Sequence, residues 1–284
     1  MPAPQKLNKE LNFDKIGIIA GGGSLPSHLI SVCKEKNIEP FIVGFEGQTN
    51  ADIMNENTHL WADFGSASNI VSFFKSNGVS NLVLIGGVKR PPFSEIKPDL
   101  KAIKILSKIG LRSLGDNDLL SALKSELELE GFSLHAMHDI CDNLLITKGS
   151  IGSFAPKPEH DIDIKLGLKT SQAIGSMDIG QSVIVQAGMV IGVEAAEGTD
   201  ALIKRCASLL QNGGGAILVK TCKPQQDKAL DMPTIGVDTV VNAHKAGLCG
   251  IVAQADNVMI VDLKNVAKYA DKYKIFVYGV PIEN

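Results

Sequence analysis

The chain has little of what marks most specialised protein classes. No apolar run approaches the roughly 20 residues that span a bilayer, and the opening stretch MPAPQKLNKELNFDK has no apolar signal core, so a cytoplasmic protein is expected. The five cysteines, Cys33, Cys141, Cys206, Cys222 and Cys249, form no CxxC pair. Their scatter argues against a disulfide framework or a zinc site and leaves buried free thiols. No basic tract accompanies the formal net charge of -3, so a nucleic-acid partner is not expected. Neither P-loop spacing nor a GxSxG elbow occurs, which removes support from kinase-like and serine-hydrolase chemistry.

What is present is the makeup of a packed globular protein, 284 residues with 44% hydrophobic and 21% charged, a length that suits two ordinary domains. KIGIIA at 15–20 reads as a buried strand, GGGSLP at 21–26 as a tight loop and 28–36 as a helix. Short apolar strands follow at 40–44, 59–62 and 81–85, with an amphipathic helix at 67–76. Strands alternating with helices imply an α/β fold with a parallel, doubly wound sheet. The loop KRPPFSEIKPD at 89–99 precedes helices expected at 100–109 and 116–130, the second capped by Asp116, Asn117 and Asp118. A loop-rich join over 148–158 places the domain boundary near residue 140, giving domains 1–140 and 141–284. Alternation then resumes with a helix at 161–177, strands at 182–186 and 189–194, a helix at 199–211 and a strand at 216–220. A helix at 266–269 and a strand at 275–278 close the chain.

Chemistry concentrates in KTCKPQQDKALDMPTIGVDTVVNAHKAGLCGI at 220–251. PTIGVDT at 233–239 is a turn that brings Asp238 to the first turn of a helix, where free N–H groups and the helix dipole favour an anion. A carboxylate beside such a helix end invites a divalent cation. VEAAEGTD at 193–200 gathers Glu194, Glu197, Asp200 and Thr199 at one strand-to-helix switch, the place where open sheets bind ligands. Helix capping alone explains Thr199 and Asp200 but not Glu194 and Glu197, and the density of hard oxygen donors favours a polar ligand or a Mg²⁺ shell. Lys220, Lys223, Gln225, Gln226, Asp227 and Lys228 follow a buried strand and read either as solvated charge or as part of that site. The glycine loop is not a dinucleotide fingerprint, because Pro26 stands where the third glycine belongs. Gly21, Gly22, Gly23 and Ser24 at a helix start either contact a nucleotide or only reverse the chain.

Five long, irregular motifs, in order, carry a resemblance over nearly the whole chain: IIAGGGSLP at 18–26, GDNDLLSAL at 115–123, DIGQSVIV at 178–185, VEAAEGTDALIKR at 193–205 and LVKTCKPQQDKALDMPTIGVDTV at 218–240. The chain resembles the LpxI-type UDP-2,3-diacylglucosamine pyrophosphatases. That resemblance implies an N-terminal Rossmann-like domain and a C-terminal α/β domain of distinct topology around a lipid-bearing substrate. It implies cleavage of UDP-2,3-diacylglucosamine to UMP and 2,3-diacylglucosamine 1-phosphate (lipid X) in lipid A synthesis, with a divalent cation, typically Mg²⁺. The family's catalytic aspartate falls on Asp238, and Val237 stands where the family pattern has proline.

On this basis Asp238, Lys220 and Asp227 are the candidate catalytic residues, and Asp238, Glu194 and Asp200 the candidate metal ligands. Gly21, Gly22, Gly23, Ser24, Thr199, Lys223 and Thr239 are the candidate substrate contacts. The substrate implies at most peripheral contact with the inner face of the inner membrane, and a homodimer is one assembly open to the chain. Two acyl chains need an apolar chamber, for which Leu166, Leu168, Ala173 and Ile174 are either a wall or ordinary core. His135, His138 and His160 do not form the DxH and GNH blocks of calcineurin-like pyrophosphatases, and each reads as structural or exposed. Two other readings stay open. A non-catalytic nucleotide- or lipid-binding module would not need Asp238 among carboxylates, and Pro26 counts against an NAD-dependent dehydrogenase.

Overall fold

The computed structural model describes residues 11–89, 96–109, 116–211 and 214–282. The stretch 1–10, most of the loop read at 89–99, Gly115 of GDNDLLSAL and the side chains of the capping cluster at 116–118 lie outside the described residues. The chain divides into two compact units, 1–142 with 227–231, and 143–226 with 232–284.

The first unit is built on β1 (Lys15–Ala20), β2 (Glu39–Gly44), β3 (Thr58–Trp61), β4 (Asn81–Ile85) and β5 (Ser133–Leu134). These pair in the order β3-β2-β1-β4-β5, every pair parallel. Parallel neighbours need crossovers, supplied here by α1 (Leu25–Glu35), α2 (Ala51–Asn55), α3 (Ala67–Ser76), α4 (Leu100–Ile109) and α5 (Asp116–Leu129), with the short α6 (Met137–Ile140) after β5. Strand order reverses between β1 and β4, so the glycine loop after β1 lies at the topological switch point. Phe41, Val43, Phe74, Leu82, Leu127 and Leu230 belong to one core cluster.

The second unit holds a six-stranded sheet, β6-β13-β11-β9-β7-β8. Its strands are β6 (Gly149–Ile151), β7 (Ser182–Gln186), β8 (Met189–Val193), β9 (Ile217–Lys220), β11 (Gly250–Gln254) and β13 (Phe276–Val280). β9, β11 and β13 are parallel, while β6, β7 and β8 each run antiparallel to a neighbour, so this sheet is mixed. β10 (Thr234–Ile235) and β12 (Met259–Ile260) form a separate parallel pair. Side chains alternate across the sheet as the pleat dictates. Ile184, Leu218, Ile251 and Val277 face Leu202 of α8 (Thr199–Cys206), Val240 of α9 (Val237–Ala246) and Val266 of α10 (Leu263–Tyr273). Val183, Val185, Ile217, Val219 and Val252 face Ile164 and Ile174 of α7 (Asp161–Ser176). Helices thus cover both faces.

Leu166 and Leu168 pack against that second cluster and Ile174 is part of it, so α7 commits its apolar side to core rather than to an acyl chamber. Three expectations change. The join at 148–158 contains the edge strand β6, the helix at 199–211 ends at Cys206 before a 3-10 turn at Ala207–Leu209, and the closing helix is eleven residues long. All five cysteines are free, four of them buried, and no described helix is long and apolar enough to cross a membrane.

Candidate active site

The strand ends on one side of the second sheet collect polar residues from distant parts of the chain. Lys220, at the end of β9, lies opposite Ser182, at the start of β7, because the two strands are antiparallel. The Glu194 N–H, just past β8, donates to the Ser182 carbonyl at 2.8 Å. The chain then turns through Gly198, whose φ of 80° is in the left-handed region that glycine adopts readily, and enters α8 at Thr199.

Thr199 ties the group together. Its hydroxyl donates to Glu194 Oε1 at 2.9 Å and accepts from Lys220 Nζ at 2.9 Å, with Ser182 Oγ at 3.3 Å. Glu194 Oε2 accepts from the Gln181 N–H at 3.2 Å. Glu194 and Lys220 are each only 6% exposed. Buried charges persist where hydrogen bonds and an opposite charge compensate lost hydration, and here one hydroxyl joins carboxylate to ammonium. Lys220 is therefore not a strand-end lysine in solvent.

Lys220 Nζ also donates to the Thr234 carbonyl at 3.1 Å. The carbonyls of Pro233, just before β10, and of Ile235 within it accept from Met259 and Val261 N–H at 2.8 and 2.9 Å, so the carbonyl between them turns the other way, toward Lys220. From β10 the chain passes Gly236 into α9, where Asp238 is exposed in the first turn. The buried Thr239 hydroxyl accepts from the Gly236 N–H at 3.3 Å, which caps the helix start and draws this side chain into a structural bond.

The other predicted residues are placed differently. Lys223 forms an ion pair with Asp178 at 2.6 Å, so its charge already has a partner within the protein. Asp200 is exposed and accepts from Asn242 Nδ2 at 3.1 Å, linking α8 to α9. These helices flank a groove of about 530 Å³ lined in part by Asp200, Lys204, Asn242 and Lys245. Asp227 belongs to the first unit, where it accepts from Lys124 Nζ at 2.5 Å and from the Ala229 N–H at 2.9 Å. Burial alone would raise the Asp227 carboxyl, but the Lys124 and Ala229 hydrogen bonds outweigh it and hold the group below its ordinary range.

In the glycine loop, the Gly21 N–H donates to the Ile85 carbonyl and the Gly22 N–H to the Gly87 carbonyl, both at 2.8 Å. A methyl on Gly21 would sit 2.6 Å from the Gly86 and Gly87 carbonyl oxygens, so this glycine is needed for close backbone approach. Two of the loop's donors are thereby used inside the fold. Gly23 and Ser24 are exposed at the start of α1.

Among the described residues, no three His, Cys, Asp or Glu side chains gather to hold a metal ion. The set Asp238, Glu194 and Asp200 therefore does not assemble as a cage, since Glu194 is turned into the Thr199 network and Asp200 toward Asn242. An exposed carboxylate such as Asp238 does fit an ion of the magnesium kind, which keeps waters and takes substrate phosphate oxygens beside one or two carboxylates.

Residues 15–144 match the LpxI N-terminal domain and residues 147–278 the LpxI C-terminal domain. The UDP-2,3-diacylglucosamine pyrophosphatase LpxI of Caulobacter vibrioides is 36% identical over 275 residues, 94% of this chain and 97% of that protein. The chain belongs to the LpxI family. The biotin carboxylase domain of Hydrogenobacter thermophilus 2-oxoglutarate carboxylase is 12% identical, covers 69% of this chain and 41% of its own, and has a TM-score of 0.22, too slight a likeness to bear on the fold. Within this LpxI-family site, sequence reading missed Ser182, Gln181, Asp178 and Thr234. The signal for them was indirect. A buried lysine ending an apolar strand needs hydrogen-bond partners; PTI supplies one of them through the Thr234 carbonyl, and DIGQS supplies partners to Thr199, Glu194 and Lys223 beside it.

Proposed function

We propose that this chain hydrolyses the pyrophosphate of UDP-2,3-diacylglucosamine to UMP and lipid X in lipid A synthesis, with Mg²⁺ as cofactor and Asp238 as the principal catalytic residue. Family membership over nearly the full length supports the substrate class. The observation that carries the residue is an exposed carboxylate on the first turn of α9, at the end of a strand-to-helix turn braced by the Lys220 hydrogen bond to the Thr234 carbonyl. Hydrolysis puts a water oxygen on phosphorus and breaks a bridging P–O bond. The water's protons must be taken up as two phosphate monoesters leave. The Asp238 carboxylate orients that water and accepts its proton, while the α9 N–H groups and dipole favour the anionic phosphate beside it. Asp238 would also be the protein ligand of Mg²⁺, which supplies charge neutralisation on the diphosphate when bound. The lipid-bearing substrate calls for no more than peripheral contact at the inner face of the inner membrane.

The test is turnover of the purified protein with Mg²⁺, with EDTA and as Asp238→Ala, following UMP and lipid X by mass. Wild type should release both products with Mg²⁺ and neither with EDTA, and folded Asp238→Ala should lose about 10³-fold or more in rate. A wild type that binds the substrate yet releases no UMP with any divalent cation would instead be a nucleotide- or lipid-binding protein.

A further inference from the structure

The Thr199 network contains two buried charges that the hydrolysis above does not use. Glu194 lies just past β8 and Lys220 at the end of β9, both 6% exposed, and the hydroxyl of Thr199 bonds to each. The far end of the network is the Thr234 carbonyl, and from Thr234 the backbone runs through Ile235, Gly236 and Val237 to Asp238. β10 is only two residues long, held on one side by its ladder to β12 and on the other by the Lys220 ammonium. A two-residue strand has little rigidity of its own, so bonds on both sides decide how closely its orientation is fixed. A misplacement near 1 Å at a reacting group can lower a rate by about 100-fold, which is the scale such bracing protects.

We infer that Glu194, Thr199 and Lys220 form a positioning relay for Asp238, in which Glu194 stabilises the buried Lys220 through the Thr199 hydroxyl and Lys220 fixes the Thr234 carbonyl. Glu194 acts as the counter-charge of the relay and not as a metal ligand, and Lys220 acts through the backbone rather than on phosphate. The inference rests on the reading of Asp238 as the site of hydrolysis. It assigns functions to three residues whose contacts lie inside the protein.

The test is a double-mutant cycle read as kcat and KM on UDP-2,3-diacylglucosamine, with Glu194→Gln, Lys220→Met, the double variant, Thr199→Val and Thr199→Ser. Glu194→Gln, Lys220→Met and Thr199→Val should each lower kcat by about 10-fold or more while KM stays within about 3-fold. Thr199→Ser keeps the hydroxyl and should retain most of kcat. The double variant should be no slower than the worse single one, because residues acting through one chain of contacts are not additive. Full kcat in Glu194→Gln, additive losses in the cycle, or a KM rise at unchanged kcat in Lys220→Met would each overturn the inference, the last by showing direct phosphate contact. Should a variant fail to fold, Thr199→Ser against Thr199→Val, which differ least from wild type, decides alone. A wild type without turnover removes the proposed hydrolysis itself and the relay with it, an outcome distinct from active wild type with unaffected variants.

Discussion

A methyl group on Gly180 would overlap the backbone carbonyl of Glu194, leaving no flexible side-chain end to move aside. Gly180→Ala should therefore lower stability by about 1–3 kcal/mol, and turnover as well, since the residue displaced is Glu194. Urea unfolding and UMP release check the two together. A variant with wild-type midpoint and rate would show that the strand end moves aside freely. At this scale the sequence was partly legible. Thr199, Glu194, Lys220 and Asp238 stand out as polar residues where apolar strands end, which open α/β sheets make informative. Their partners were not legible, because Ser182 meets Lys220 only through the antiparallel register of β7 on β9, and no local spacing encodes a register. Lys223 shows the converse. A lysine in a polar run reads as a phosphate contact until the fold sets Asp178 against it.

At the scale of elements, three helices of the first unit meet at Glu130. Its carboxylate accepts from Lys101 of α4 and from Lys75 of α3, the latter at 2.6 Å, just after α5 ends. The Lys101 hydrogen bond first, then that of Lys75, lowers the Glu130 carboxyl from 4.5 to about 2. A depressed carboxyl contributes stability that is full above the unfolded value and disappears as pH falls through the folded one, here between 4.5 and about 2. Glu130 is partly exposed, so solvent screening keeps its contribution to stability small. Thermal melts should show the midpoint of wild type falling more steeply across that window than the midpoint of Glu130→Gln. Parallel slopes would mean that the three helices gain nothing from the tie. Legibility among elements followed length and periodicity. KIGIIA and NLVLI announce themselves as continuous apolar runs, whereas β10 and β12 have two residues each and no period can emerge from two. α10 was read as four residues because its eleven, LKNVAKYADKY, carry buried side chains only at Val266 and Ala270.

At the scale of the whole molecule, the chain builds the first unit, moves to the second, and returns five residues, 227–231, to the first before finishing the second. Nothing in DKALD marks such a return, because a linear reading assigns five residues to the unit on either side of them and this segment carries no loop or linker signal of its own. The return is physically specific. Leu230 is 7% exposed in the cluster of Phe74, Leu82 and Leu127, and Asp227 pairs with Lys124 of α5. Removing a buried leucine side chain loses its transfer free energy and leaves a cavity, so Leu230→Ala should destabilise the first unit by about 2–4 kcal/mol. Hydrogen exchange reads where the loss falls. Amides of β1, β2 and β4 should lose protection while those of β9 and β11 keep theirs, since Leu230 belongs to the first core and not to the second. Equal loss in both sheets would show that the two units unfold as one, and no loss in either would show that the five residues only rest on the first core.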